Sequence, residues 1–167
     1  MTAMESPEFA AETLAARGGR MAVVRLPQVH DPFKQGLATY SITVAREKSV
    51  STYVGDGLDR WPAVHRRDAA LLSRLALEKG TAGARYHAVA EEGVPAREIA
   101  EAIGRGLRIP VVALSLEEAA SHFGWLEFFA GMDMPASSAL TQQRLSWHPT
   151  QKAGLIDDLG HRDDFGG

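Results

Sequence analysis

The feature that most constrains the fold is a series of short apolar runs that alternate with segments of helical periodicity. Residues 21–26 form such a run, with little polar alternation, and Pro27 ends it. A run of this type favours a strand covered on both faces, as in a parallel sheet. Residues 50–54 and 111–114 also read as strands, and residues 68–79 place apolar side chains on one helical face. The alternation predicts an α/β fold.

The remaining segments were assigned from caps, breakers and periodicity. Ser6 and Pro7 are expected to begin a helix that ends at Gly18, and Ser115 with Glu118 forms the pattern of a capping box. Further helices are predicted over 37–47, 97–107, 119–123, 137–145 and 155–159, a strand over 85–89, a loop over 28–35 and a turn over 91–95.

Length and composition set the broad class of protein. The 167 residues suggest one domain, which we assign to 1–160, followed by a disordered tail over 161–167. A net charge of −3 argues against nucleic acid as a partner. The sequence has no cysteine and no apolar run near the ~18 residues that span a bilayer. We therefore expect a soluble protein of the cytoplasm that binds neither nucleic acid nor membrane.

Residues 55–68 are the stretch richest in groups that bind ligands. Two glycines open it, Pro62 restricts Trp61 to extended conformations, and Arg60 and His65 provide a guanidinium and an imidazole. Such groups on a loop between a strand and a helix are typical of binding sites. The alternative is an ordinary connection in which Trp61 packs on the core and Arg60 is solvated.

Motifs of known chemistry are otherwise absent from the sequence. It has no glycine-rich dinucleotide or triphosphate turn and no nucleophile elbow. His65 and Asp68 share one helical face, but two ligands are weak support for a metal, and we predict none. We expect Asp68 to favour the helix N-terminus, and His30 and Asp31 to be solvated loop residues.

Several stretches, in order, resemble one known family. They are VVRLPQVH at 23–30, YVGDGLDRWPAVHRRDAA at 53–70, YHAVAEEGVPAREIA at 86–100, and PASSAL at 135–140 with Leu145, Trp147, Pro149 and Thr150. Together they resemble the C-terminal half of an extended or atypical short-chain dehydrogenase/reductase (SDR), nearest to the NAD(P)-dependent epimerase/dehydratase-like oxidoreductases. The resemblance implies the C-terminal part of a Rossmann-like fold, with few parallel strands and the small substrate-binding subdomain, so that 1–160 is the substrate-binding portion.

The sequence departs from the family by lacking its N-terminal nucleotide-binding half. In the family that half carries a glycine-rich turn and a Tyr-x-x-x-Lys pair, which seat the cofactor and supply the general acid. Here Tyr40, Tyr53 and Tyr86 are not followed by Lys four residues later. We therefore assign no catalytic residue and leave open whether the chain is an enzyme.

The resemblance also implies roles for a few residues. Pro27 and Val29 match the segment beside the nicotinamide, so they are predicted to contact NAD(P), although binding by this chain alone is doubtful. Arg60, Trp61 and His65 match the loop that faces a small-molecule substrate. An arginine in this loop often meets an anionic group in the family.

Three functional hypotheses follow from these observations. The first is an SDR truncated to its substrate-binding half and not catalytic alone. The second is a complementing subunit whose partner chain supplies the nucleotide-binding half, and the third is a non-catalytic binding or interaction module. Because one edge of the strand over 21–26 and the apolar surface of the first helix would be uncovered, we expect the isolated chain to aggregate or self-associate there.

Overall fold

The computed structural model describes residues 7–161 as eight helices, seven strands and one 3₁₀ turn. The helices are α1 (Pro7–Ala16), α2 (Ala38–Lys48), α3 (Arg66–Lys79), α4 (Ala96–Leu107), α5 (Leu116–Phe123), α6 (Glu127–Ala130), α7 (Ala139–Leu145) and α8 (Leu155–Gly160). The strands are β1 (Val23–Arg25), β2 (Gln28–His30), β3 (Ser51–Val54), β4 (Arg60–His65), β5 (Arg85–His87), β6 (Glu91–Pro95) and β7 (Val111–Leu114). The 3₁₀ turn, Gly124–Leu126, joins α5 to α6.

The strands form three small sheets with mostly parallel pairing. β1 pairs with β5 and β3 with β7, both in parallel. The third sheet has the order β2-β4-β6, in which β2 and β4 are parallel and β6 is antiparallel to β4. The predicted α/β class with parallel strands is therefore confirmed.

Local capping explains where two of the helices begin. The imidazole of His65 accepts a hydrogen bond from the backbone N–H of Arg67 and so caps α3. The predicted capping box at α5 is confirmed, because Ser115 and Glu118 each bond to the other's backbone N–H. The helix starts at Leu116, three residues before the predicted start.

The predicted loop over 28–35 is wrong at its beginning, where the chain forms β2. Gln28–His30 pairs in parallel with Ala63–His65 of β4. Polar residues at 28 and 30 suggested a solvated loop, yet both side chains are buried. Each has a distant partner: the Gln28 carboxamide oxygen accepts the N–H of Leu37, and His30 pairs with Asp158.

The predicted loop around Trp61 and the predicted turn over 91–95 are also wrong, since both segments are strands. β4 is the central strand of its sheet, and its pairing with β6 shifts register between Trp61 and Ala63. Pro62 lies at this irregularity, where a residue without a backbone N–H is tolerated. Gly93 lets β6 approach β4, because a Cβ there would lie 2.8 Å from the Cβ of Arg60.

Three clusters of buried apolar side chains form the core. One joins α2, β4, α4 and α8, a second lies between α3 and β5 with Trp147 at its centre, and a third links the end of β3 to α5 and α6. The first cluster includes Ala63 and the second includes Val64, and these are adjacent residues of β4. Core packing on both sides therefore holds β4 in position.

At the N-terminal side of the described chain, β1 pairs on one edge with β5, and residues 7–161 offer no partner for its other edge. Helix α1 is tied to this pair of strands by ion pairs from Glu8 to Arg25 and Arg85. Phe9 and Leu14 of α1 are about half exposed. The predicted cap at Ser6 and residues 162–167 of the predicted tail lie outside the described residues.

Candidate functional site

Two histidines meet at the carboxyl ends of the parallel strands β2 and β4. In the register of these strands Val29 lies opposite Val64, and His30 opposite His65. The two imidazole rings are 5.6 Å apart between centroids, at an interplanar angle of 84°. Carboxyl ends of parallel strands are common positions for ligand sites, so this edge is the candidate site.

His30 is fully buried and is held between two carboxylates. Its Nδ1 lies 2.6 Å from Oδ2 of Asp158, itself buried, and its Nε2 lies 3.7 Å from Oε2 of Glu91. The same Glu91 oxygen accepts the N–H of Leu155 at 2.8 Å. These contacts fix the imidazole and tie the start of α8 to β2 and β6.

His65 presents one defined nitrogen to the site. Because its Nδ1 accepts the N–H of Arg67 at 3.2 Å, the proton of the neutral ring lies on Nε2. Asp68, three residues later, turns away from this histidine. Its carboxylate accepts hydrogen bonds from Thr150 N, Thr150 Oγ1 and Gln151 N, each at 3.0 Å.

The pair His65 and Asp68 therefore does not form a ligand set. Asp68 is 1% exposed, and its role is to bind the segment that follows Trp147, in addition to its place in the first turn of α3. Within the described part of the chain, no three His, Asp or Glu side chains are grouped as a metal would require.

Two cavities flank His30. The larger has a volume of about 560 Å³ and the smaller about 300 Å³. The larger is lined by Val29, His30, Asp31, Lys34, Tyr40 and Arg66, among others. The smaller is lined by His30, His65, Asp68, Glu91, Lys152 and Asp157, among others. Both volumes are near the range of small-molecule sites.

Asp31 lies in the floor of the larger cavity as a buried carboxylate. Burial by itself would raise its pKa, but the backbone N–H groups of Lys34 and Phe33 donate to it, and Arg66 lies 2.6 Å away. These partners outweigh the burial, and the pKa of Asp31 falls below its ordinary value. The carboxylate is thus charged at neutral pH and neutralises Arg66.

Of the residues predicted to bind ligands, Val29 and His65 lie on neighbouring strands at the same edge of the sheet but in the walls of different cavities. Val29 lies in the wall of the larger cavity, and His65 in the wall of the smaller one. Pro27 lies in the short connection from β1 to β2 and is partly exposed. Val29 is therefore next to the carboxyl-end edge that carries the histidines, whereas Pro27 precedes β2 at its other end and lines neither cavity.

Arg60 and Trp61 are placed apart from this edge. They lie at the other end of β4, about 16 Å from His65 at the usual rise of a strand. The Arg60 guanidinium forms two hydrogen bonds with Asp133, at 3.0 and 2.8 Å, which lower the pKa of Asp133. Trp61 is 4% exposed and packs in the core.

Sequence reasoning missed His30, Asp31 and Asp158 as site residues. The expectation that His30 and Asp31 are solvated is wrong, because both are more than 90% buried. Asp158 lies 128 residues from His30, so no local pattern pairs them. The available signal was the position of His30, four residues after the end of the predicted strand over 21–26.

The described chain also bears on membrane association. None of its helices combines the length and apolar character that crossing a bilayer requires.

Comparison with curated proteins finds two half-length matches. The chain is 53% identical over 144 residues to an uncharacterised protein of Schizosaccharomyces pombe, C2A9.02, and 42% identical over 144 residues to YLL056C of Saccharomyces cerevisiae. Each alignment covers 86% of this chain, but 49% and 48% of the respective relative. The chain thus spans about half the length of the curated relatives it matches. No family model matches the sequence.

Solved structures define the class of fold. A dTDP-glucose 4,6-dehydratase of Streptomyces venezuelae with NAD bound superposes with a TM-score of 0.70 at 16% identity, over 95% of this chain and 47% of that one. A nucleoside-diphosphate-sugar epimerase of Pseudomonas aeruginosa gives 0.68 at 17% identity, over 95% and 51%.

The chain therefore has the fold of an extended SDR, over about half the length of those proteins. The resemblance predicted from the sequence is confirmed at the level of the fold, over 47% and 51% of those two chains.

Proposed function

We propose that the chain is the substrate-binding half of an NAD(P)-dependent oxidoreductase or epimerase of the SDR type, and that it is not catalytic alone. The observation that carries the proposal is the superposition of 95% of the chain onto about half of a dehydratase that binds NAD. The half-length match to the yeast relatives supports it as well.

The geometry of the site agrees with this role. Val29 provides an apolar side chain next to the carboxyl ends of β2 and β4, against which a planar nicotinamide ring would lie, and Pro27 precedes the same strand. NAD(P) bound there would supply hydride transfer. In this chain His65 would offer its Nε2–H, and Glu91 a carboxylate, to the part of a ligand that reaches the smaller cavity.

The unpaired edge of β1 supports the second candidate, a complementing subunit. Parallel strands are normally paired on both sides and covered on both faces, and β1 has a described partner on one side. A cavity of about 290 Å³ also lies between the β1 segment and α3, lined by Met21, Val24 and Leu77, among others. A nucleotide-binding half, in the same protein or in a second chain, would cover the unpaired edge.

Titration with NADH and NADPH tests the proposal. For the 167-residue chain alone we expect no binding tighter than the millimolar range, which corresponds to about 4 kcal/mol. When the part of the S. pombe relative that this chain does not match is added as a separate polypeptide, we expect complex formation and micromolar binding of one of the two cofactors. Hydride transfer by the chain alone would contradict the proposal.

Analytical ultracentrifugation of the same samples distinguishes between the two candidate functions. Association with the added half supports the complementing subunit, and self-association of the chain supports an uncovered β1 edge. A stable monomer with a cooperative melt and no affinity for the added half would count against both. We also propose a cytoplasmic location, from the lack of cysteine, and fractionation of the host cell tests it.

A further inference from the structure

The larger cavity beside His30 has a floor made of buried polar groups. His30 and Asp31 both line it, at 1% and 6% exposure, and both are fixed by hydrogen bonds to other parts of the chain. Its volume of about 560 Å³ lies within the range of small-molecule sites, about 300–1,000 Å³. The site is thus built by the fold before any ligand arrives.

The charges that line this cavity leave one positive charge without a partner. Arg66 is paired with the buried carboxylate of Asp31 at 2.6 Å. Lys34 also lines the cavity, and no carboxylate of residues 7–161 lies within ion-pair distance of its ammonium group. An anionic group of a ligand would find in Lys34 a donor that forms a charge-assisted hydrogen bond.

An aromatic side chain held in place forms another part of the wall. Tyr40 lines the cavity, and its ring meets that of Trp125 edge to face, at 5.0 Å between centroids and an angle of 84°. The phenol ring is therefore oriented by a neighbour outside the cavity. Aromatic rings held in this way favour stacked or edge-on contacts with a planar ring of a ligand.

We propose that this cavity binds an organic acid that carries one negative charge and a planar ring, and that this is the substrate class of the site. The charge count favours one carboxylate over a diphosphate, because Lys34 is the one lining cation that Asp31 does not neutralise. A second negative charge would remain without a partner in the same cavity. The word substrate rests on the proposed function, whereas the binding itself does not.

Benzoate is the probe that tests the proposal, by titration of the ¹⁵N-labelled chain without cofactor. We expect benzoate to shift the amide signals of Lys34, Gly36, Thr39 and Arg66, with a dissociation constant on the order of 1 mM, as is usual for a fragment of this size. Benzyl alcohol, which lacks the charge, and cyclohexanecarboxylate, which lacks the planar ring, should each bind more weakly. Uridine diphosphate should not bind more tightly than benzoate.

Variants of Lys34 and Tyr40 test whether these two side chains bind benzoate. Lys34→Met should weaken benzoate binding about tenfold, as expected for the loss of a charge-assisted hydrogen bond near solvent. Lys79→Met, which removes the same charge from an exposed position on α3, is the matched control and should leave the affinity unchanged. Tyr40→Leu should reduce the preference for benzoate over cyclohexanecarboxylate by about two- to tenfold.

Three results would overturn the proposal: benzoate shifts confined to other residues, equal affinity of Lys34→Met and Lys79→Met, or tighter binding of uridine diphosphate at the same amides. The last result would assign a diphosphate ligand to the site. The benzoate titration contains no cofactor, so its result does not depend on whether NADH or NADPH binds in the titration that tests the proposed function. The two proposals therefore fail independently.

Discussion

The pair formed by His30 and Asp158 should determine the stability of the candidate site. Both side chains are buried, at 1% and 4% exposure, and Nδ1 lies 2.6 Å from Oδ2. Replacing His30 by Leu removes the partner of a buried carboxylate but keeps an apolar side chain in its place. Removing one member of a buried pair costs about 3–5 kcal/mol, because the remaining charge has no compensation.

A second substitution tests whether the unpaired carboxylate of Asp158 causes this loss of stability. In the double variant His30→Leu with Asp158→Asn, the uncompensated charge is gone, so we expect about 2 kcal/mol of the loss to return. A chain of this length shifts its melting temperature by about 2–4 °C per kcal/mol. His30→Leu alone should therefore melt about 6–20 °C lower than the wild type, and the double variant should melt higher than the single one.

Urea unfolding followed by circular dichroism measures these differences. Asp157→Ala is the matched control on the same helix, since Asp157 is exposed and accepts one hydrogen bond, from the N–H of Gly154. It should lose about 1 kcal/mol, the usual effect of a lost cap. If Asp158→Asn destabilises the His30→Leu variant further, the carboxylate has another partner and the reasoning is wrong.

Two further predictions concern a turn and a buried acid. Gly55→Ala and Gly57→Ala both place Ala at a positive φ, of 60° and 70° respectively. A Cβ at position 55 meets no atom within 4 Å, whereas a Cβ at position 57 would lie 2.6 Å from the Tyr53 ring. Gly55→Ala should lose about 1 kcal/mol in urea unfolding and Gly57→Ala clearly more, so equal losses would contradict the geometry. The depressed pKa of Asp31 means that its contribution to stability is present above the unfolded pKa, near 3.9, and is lost as pH falls through the lower folded value. The stability difference between wild type and Asp31→Asn should therefore shrink below about pH 4 in pH-dependent unfolding, and a constant difference would contradict it.

Local patterns in the sequence predicted the helices and the strands β1, β3, β5 and β7, but they missed β2, β4 and β6, whose residues are polar or include proline. The capping box at Ser115 and the apolar stripe of α3 depend on neighbours within one turn. In contrast, β2 forms because Gln28–His30 pairs with residues about 35 positions away. Its polar residues at both ends leave no apolar run that would reveal it in the sequence.

The candidate site was predictable in part, for a related reason. Val29 and His65 were identified through the resemblance, and the structure places them on neighbouring strands. Arg60 was identified with them because it is close in sequence. However, an extended segment separates side chains by about 3.3 Å per residue, which carries Arg60 to the opposite end of β4 and to Asp133.

The last described segment of the chain is what closes the site. The side chain and N–H of Thr150 bind the start of α3, the N–H of Leu155 binds Glu91 of β6, and Asp158 binds His30 of β2. Each contact joins this segment to a different element, and the partners Asp68, Glu91 and His30 all line the smaller cavity. The geometry around His30 therefore depends on tertiary contacts that form when α8 docks. A substitution in α8 can change ligand binding at β2 without touching a ligand.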